Sequence, residues 1–162
     1  YMGASGEVQQ AVLKAAFEGV TVRNIMTPAE EIRTVSEDMS VADLLDRMLH
    51  ERHVGYPVMH AGELVGMVTL EDTQSVRTVE RDAFRVEEIM TRDITTVGPD
   101  TGAMEALMTM QTNGIGRLPV LSDAGEFIGL LSRSDLLMAF SIAQAGGSIG
   151  SVRLRDVSVR QP

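Results

Sequence analysis

Cysteine is absent from this 162-residue chain, which excludes a disulfide framework and a thiolate metal site and fits a cytoplasmic protein. Long apolar runs are missing too. Although 44% of the residues are hydrophobic, the longest candidate stretch, Ser134 to Ala145, falls well below the roughly 20 residues that a membrane-spanning helix requires. Residues Tyr1 to Gly19 have no basic start followed by an apolar block, so they do not read as a signal peptide, and the chain is expected to be soluble. Lysine is nearly absent as well: Lys14 is the one lysine among 14 basic residues, set against 23 acidic ones. The formal charge of -9 and a pI near 4.7 argue against DNA or RNA as a partner, because phosphate binding needs a clustered basic face. Such an acidic, lysine-poor surface suits a high-salt cytoplasm, and a GC-rich coding bias accounts for the arginines equally well.

What the chain does contain is a repeat. Val22-Arg-Asn-Ile-Met-Thr27 returns as Val86-Glu-Glu-Ile-Met-Thr91, and Tyr56-Pro-Val-Met59 returns as Leu118-Pro-Val-Leu121. Leu64-Val-Gly-Met-Val-Thr-Leu-Glu-Asp72 returns as Phe127-Ile-Gly-Leu-Leu-Ser-Arg-Ser-Asp135. The offsets of 64, 62 and 63 residues describe one unit used twice with small changes in loop length.

Each unit follows the same local plan. Ser40 with Asp43 reads as a helix N-cap and first-turn acid, after which Val41, Leu44, Leu45, Met48 and Leu49 fall on one helical face. Met104, Leu107 and Met108 are expected on the corresponding face of the second unit. A Pro-Val strand follows, then a tight Gly turn (Ala61-Gly62-Glu63, later Asp123 to Glu126) and a second apolar strand. Asp72 and Asp135 then sit where a new helix begins, clearest from Ser134 to Gln144 before Gly146-Gly147. The predicted fold is α/β (α+β): two β-α-β-β-α units packed about a pseudo-twofold axis, since a three-stranded sheet with helices on one face is too small alone. A helix over Gly3 to Glu18, with Val12, Leu13, Ala16 and Phe17 as its apolar side, precedes them. The expected boundaries are 1–19 for this linker helix, 20–80 and 81–145 for the repeats, and 146–162 for a tail whose Ser151 to Val157 faintly echoes Gly19 to Ile25.

In combination, the Ile-Met-Thr opening, the Pro-Val strand and the hydrophobic-Gly-x-x-Thr/Ser-x-x-Asp ending resemble the CBS (cystathionine-beta-synthase) domain family, in two copies over about Val20 to Ala143. The resemblance implies a Bateman module, a pair that binds adenosyl ligands such as AMP, ADP, ATP or S-adenosylmethionine in two clefts between the repeats, and so controls an attached or partner protein. No required cofactor is implied. The spacing has its own physical sense. An aspartate in the first turn of a helix accepts hydrogen bonds from vicinal ribose hydroxyls, and a Thr or Ser three residues earlier offers a hydroxyl and backbone amides to phosphate. Thr69 with Asp72 and Ser132 with Asp135 have that spacing. The same pattern is more commonly a plain helix cap; its recurrence after two copies of one hairpin favours a site. From the resemblance, Tyr56-Pro57 and Leu118-Pro119 would wall an adenine pocket, and backbone near Thr34 and Thr96 would bond the adenine edge. Arg117 occupies a position at which nucleotide-binding members often direct a basic residue at phosphate. Arg133, beside Ser132, is a candidate assistant or simply a surface arginine.

The two clefts are expected to differ. Arg117 aligns with Gly55 and Arg133 with Leu70, and Glu71 lies beside Asp72 where Ser134 lies beside Asp135, so the second motif should be the better phosphate site. Arg52 or His53 is a candidate replacement for the arginine missing from the first.

Other patterns fail on geometry. His50-Glu-Arg-His53 spaces its histidines three apart rather than the four of a zinc-protease helix, so no metal is expected. Gly146-Gly-Ser148-Ile-Gly150 matches a nucleophile elbow literally but follows a helix, and reads as a flexible C-cap linker. The Met-rich faces (Met48, Met104, Met108) read as adaptable core. No set of nucleophile, base and orienting group recurs, so no catalytic residue is expected. Gly3 to Met26 also resembles the stretch joining the last membrane helix of site-2-protease-like metalloproteases to their C-terminal CBS pair, which would make the chain the cytoplasmic part of a membrane protein. A homodimer is expected from apolar helix surface left over after packing. The rival reading is a structural dimerisation module without ligand.

Overall fold

The computed structural model describes residues 2–149. In chain order the elements are α1 (Met2–Ala16), α2 (Val22–Ile25), β1 (Thr27–Pro28), β2 (Val35–Ser36), α3 (Val41–Glu51), β3 (Gly55–His60) and β4 (Glu63–Thr69). There follow α4 (Leu70–Thr73), α5 (Val86–Ile89), α6 (Ala103–Asn113), β5 (Arg117–Leu121), β6 (Phe127–Ser132) and α7 (Arg133–Gln144). The fold is mixed α/β with two three-stranded sheets, as the pattern predicts. No helix among the described residues is long and apolar enough to cross a membrane.

The chain forms two compact units, and their boundaries differ from those of the sequence repeat. One comprises residues up to Glu30 together with those from Thr96 onward; the other runs from Glu31 to Thr95. In the first, β1 pairs antiparallel with β6 and β5 with β6, while Val97 bridges Val120 in parallel at the other edge. In the second, β2 pairs parallel with β3 and β3 antiparallel with β4, and Thr91 bridges Met67. Each hairpin thus takes its outer partner from the Ile-Met-Thr segment of the other repeat.

Glycine makes this pairing possible. A Cβ on Gly129 would lie 2.7 Å from the Met26 sulfur and 2.8 Å from the Thr27 carbonyl oxygen; one on Gly66 would lie 2.6 Å from the Met90 sulfur and 3.0 Å from the Thr91 oxygen. Bare backbone at these two strand positions lets the Met-Thr segment lie directly on the hairpin.

Core and caps follow the sequence with one shift of face. Ser40 Oγ accepts from the Asp43 amide at 3.1 Å, starting α3, whose Val41, Leu44 and Met48 are buried while Leu49 is exposed. On α6 the buried residues are Ala103, Ala106 and Met110; the expected Met104 and Leu107 only flank that core, and Met108 is 47% exposed. The buried set stands at the same offset as Val41, Leu44 and Met48. Two small alanines share the contact surface with Met110, so Met104, Leu107 and Met108 fall beside or outside the true face. On α1, Phe17 just beyond the helix is buried and edges onto Phe140, whereas Val12 is exposed. Past the end of α7, Ile149 is buried in the same cluster, so the glycine-rich segment is anchored rather than a free linker; Gly150 and the Ser151 to Val157 echo lie outside the described residues.

Candidate functional site

Register places the second Ser-x-x-Asp motif against Arg117. Across the β5–β6 hairpin Arg117 pairs with Ser132, on the rung where Gly55 pairs with Thr69 in the other unit. Ser132 N-caps the 12-residue α7: its Oγ accepts from the Asp135 amide at 3.1 Å, and Asp135 Oδ2 accepts from the Ser132 amide at 2.9 Å. The other carboxylate oxygen, Oδ1, accepts from the Thr27 hydroxyl at 3.3 Å. A carboxylate has about four lone-pair directions, so half of this one stays open while its orientation is fixed from two sides. Arg117 is half-buried, and its side chain has no hydrogen-bond or ion-pair partner among the described residues. Ser132 and Asp135 are likewise half-buried.

A half-buried carboxylate held open, a hydroxyl free to donate, an unpaired guanidinium and the amide end of a three-turn helix together can hold a polar, partly anionic ligand. Sequence reasoning does not single out Thr27 as a site residue. Its signal is present in the repeated Ile-Met-Thr motif, but only the strand pairing brings it to Asp135.

Arg133 goes elsewhere. It lies two residues before Asp135 on α7, about 200° around the helix, and lines a groove with Leu136, Leu137 and Phe140 instead of joining the carboxylate. Its backbone amide donates to Gly116 at 3.1 Å. Leu118 is wholly buried in the core of its unit, beside the buried Pro119. Thr96 is exposed, immediately before Val97, whose amide and carbonyl bond Pro119 and Leu121.

In the other unit Asp72 has a different economy of bonds. Its Oδ2 accepts from both the Thr69 amide (2.8 Å) and the Thr69 hydroxyl (3.2 Å), so that hydroxyl donates to its own carboxylate. The helix it heads, α4, is four residues long, with Glu71 exposed beside it. Tyr56 is 1% exposed and belongs to the core; its hydroxyl donates to Glu51 at 2.8 Å, and Glu51 also pairs with Arg33 at 3.3 Å. Burial first, and then the bond to Glu51, push the Tyr56 phenol up to about 12. Pro57 is buried, and the Thr34 carbonyl is taken by Arg47 at 3.1 Å. His50 and His53 are exposed near the end of α3, with His50 Nδ1 2.7 Å from the Asp46 carbonyl and the His53 ring against Tyr56. Among the described residues Glu37, Asp38 and Glu87 gather at the surface, but Glu37 already pairs with His60 at 2.6 Å.

The family model of the CBS domain matches this sequence twice, over residues 22–73 and 86–142. The chain belongs to the CBS-domain family. A zinc metalloprotease of Methanocaldococcus jannaschii is 30% identical over 144 residues, covering 89% of this chain and 39% of the relative. An inosine-5'-monophosphate dehydrogenase of Korarchaeum cryptofilum is 38% identical over 106 residues, 65% of this chain and 22% of that enzyme. The CBS chain thus spans well under half the length of either relative. Among solved structures, CBSX2 in complex with AMP superposes with a TM-score of 0.68 at 26% identity, covering 76% of this chain and 98% of the other. The CBS domain of a bacterial CNNM/CorC family Mg2+ transporter in complex with ATP gives 0.73 at 21% identity, covering 84% and 97%.

Proposed function

We propose that this CBS pair is a non-catalytic regulatory module that senses an adenosine-containing ligand, AMP, ADP, ATP or S-adenosylmethionine, and controls an attached or partner protein. The observation that carries the reading is the set Arg117, Ser132, Asp135 and Thr27: one unpaired cation and one half-open carboxylate at the head of α7. Asp135 would take the ribose hydroxyls, and Ser132 with Arg117 the phosphate. Leu118, Pro119 and backbone near Thr96 would border the base. Support also comes from the AMP held by CBSX2 and the ATP held by the transporter's CBS domain.

The Asp72 motif is the poorer phosphate site in this reading. Its hydroxyl is spent on its own carboxylate, its helix is one turn long, and Gly55 stands where Arg117 stands in the other unit. Thr69, Asp72, Thr34, Tyr56 and Pro57 would then serve a less anionic ligand such as S-adenosylmethionine. The module acts as a homodimer through exposed apolar helix residues such as Leu49 and Met108. The likeness to the archaeal metalloprotease over 89% of the chain makes a membrane-embedded protease domain the attached protein of choice, with this module on its cytoplasmic side.

Thermal melts test the central claim. A ligand at 100 times its Kd adds about 2.7 kcal/mol of stability, which raises Tm by roughly 5 to 11 °C for a chain of this size. No rise with AMP, ADP, ATP, S-adenosylmethionine or NAD at millimolar concentration would leave the structural dimerisation module as the better account.

A further inference from the structure

Helices α1, α6 and α7 enclose a groove of about 580 Å³ that the proposed nucleotide chemistry does not use. Its volume is that of a small-molecule site, for which roughly 300–1,000 Å³ is usual. The groove exists because Arg133, Leu136, Leu137 and Phe140 recur at helical spacing along one side of α7 and face Val12 of α1 and Phe17 just beyond it. Phe17 and Leu136 are almost fully buried and form a floor, while Val12 and Leu137 stay exposed at the rim. A slot with a buried floor suits a ligand that inserts more than a flat partner that lies across it.

Among the described residues Arg133 is the one charged member of the lining, whose other polar members are the amides of Gln9 and Gln111. Its guanidinium has no carboxylate partner among the described residues, and its hydrogen bond to the Ile115 carbonyl is long at 3.5 Å. In a chain of net charge -9, an unpaired cation at the end of an apolar slot selects for a negative head on an apolar body.

We infer that this groove binds an amphipathic carboxylate, with the hydrocarbon body between α1 and α7 and the carboxylate on Arg133. The site is separate from Asp135, which faces another side of α7, so its occupancy and that of the nucleotide motif are measured independently.

Calorimetric titration of the full chain with decanoate, below the concentration at which it forms micelles, tests the inference against decyltrimethylammonium, which has the same tail and the opposite charge. The expected result is saturable one-to-one binding of decanoate, at least about tenfold tighter than the cation. Arg133→Gln removes that preference. Leu137→Asn, at an exposed rim position, weakens both ligands, and saturating AMP leaves the decanoate isotherm in place. The inference is overturned by absence of saturable heat, by equal affinity for the two head groups, or by an Arg133→Gln chain that still prefers decanoate. It is also overturned if decanoate binding disappears as chain concentration rises and light scattering shows a dimer forming, since a second copy would then be the occupant. Failure of AMP to bind in the same chain bears on the nucleotide reading and leaves this one standing.

Discussion

The thioether sulfur of Met26 stands over Gly129 where a side chain would otherwise be: a Cβ there would lie 2.7 Å from the sulfur and 2.8 Å from the Thr27 carbonyl oxygen. The methionine can swing aside, but the carbonyl is held by strand pairing with β6. Gly129→Ala should therefore destabilise by about 1–3 kcal/mol, as overpacking does, and lower Tm by roughly 2 to 12 °C. Gly66→Ala should cost less, because its backbone neighbour, the Thr91 oxygen, is at 3.0 Å. Gly98, where an added Cβ would meet only the Thr101 hydroxyl at 3.8 Å, is the control: alanine there should change Tm little in the same scan.

That relationship also marks the limit of what sequence revealed. The repeat, the hairpins, the Ser40 cap and the helix start near Asp135 are legible, because each is a local pattern of period, turn residue or cap. The exchange of Ile-Met-Thr segments between repeats is not, since Met26 and Gly129 are each conspicuous but nothing in the chain says that they meet. The Thr27–Asp135 bond was hidden for the same reason. On α6 the sequence misled through size: Ala103 and Ala106 make the core contact, while Met104, Leu107 and Met108 attract the eye. Arg133 shows the limit of adjacency: it stands next to Ser132 in the chain, yet on α7 it lines the groove with Leu136, Leu137 and Phe140.

Ala61 is strained in a way that a substitution can relieve. It begins the two-residue β3–β4 turn at φ 49°, followed by Gly62 at 81°, a pair of left-handed residues that favours Asn-Gly. Alanine in that region is disfavoured by about 1–2 kcal/mol. Ala61→Asn should raise stability by about 0.5–1 kcal/mol, seen in urea as a higher midpoint with an unchanged slope. An unchanged or lower midpoint would show that the turn carries no such strain.

Tyr56 links the core of its unit to alkaline stability. With its phenol pushed up to about 12 by burial and by Glu51, the folded chain keeps a proton between pH 10 and 12 that the unfolded chain loses. The stabilisation is therefore fully present below pH 10 and is lost as pH rises through 12. Tyr56→Phe should remove that part of the alkaline decline, and at neutral pH should cost about 0.5–1.5 kcal/mol for the lost bond to Glu51. Ultraviolet titration of the native chain should show one tyrosine ionising late and its loss in the variant; ionisation of Tyr56 near its ordinary value of about 10 would contradict the buried, bonded hydroxyl.

The two Asp motifs should separate by charge. Arg117 and Ser132 share a hairpin rung, and Gly55 and Thr69 share its counterpart, so the guanidinium is the main difference that a phosphate would meet. Hydrogen bonds to charged groups contribute about 1.5–3 kcal/mol, so Arg117→Ala should weaken AMP by about ten- to a hundredfold and leave adenosine nearly unchanged. Asp135→Ala should weaken both, because the carboxylate lone pairs that Ser132 and Thr27 leave open face ribose rather than phosphate in this reading. Asp72→Ala should have the smallest effect on AMP, although it removes the cap of α4. One substitution near the first motif checks for compensation: if Arg52 or His53 swings in to replace the missing arginine, His53→Ala or Arg52→Ala will lower AMP affinity as much as Arg117→Ala does. Calorimetric titration of these variants with AMP and adenosine decides the assignment. Should Asp72→Ala abolish AMP binding while Arg117→Ala leaves it intact, the phosphate belongs to the Asp72 motif and the asymmetry runs the other way.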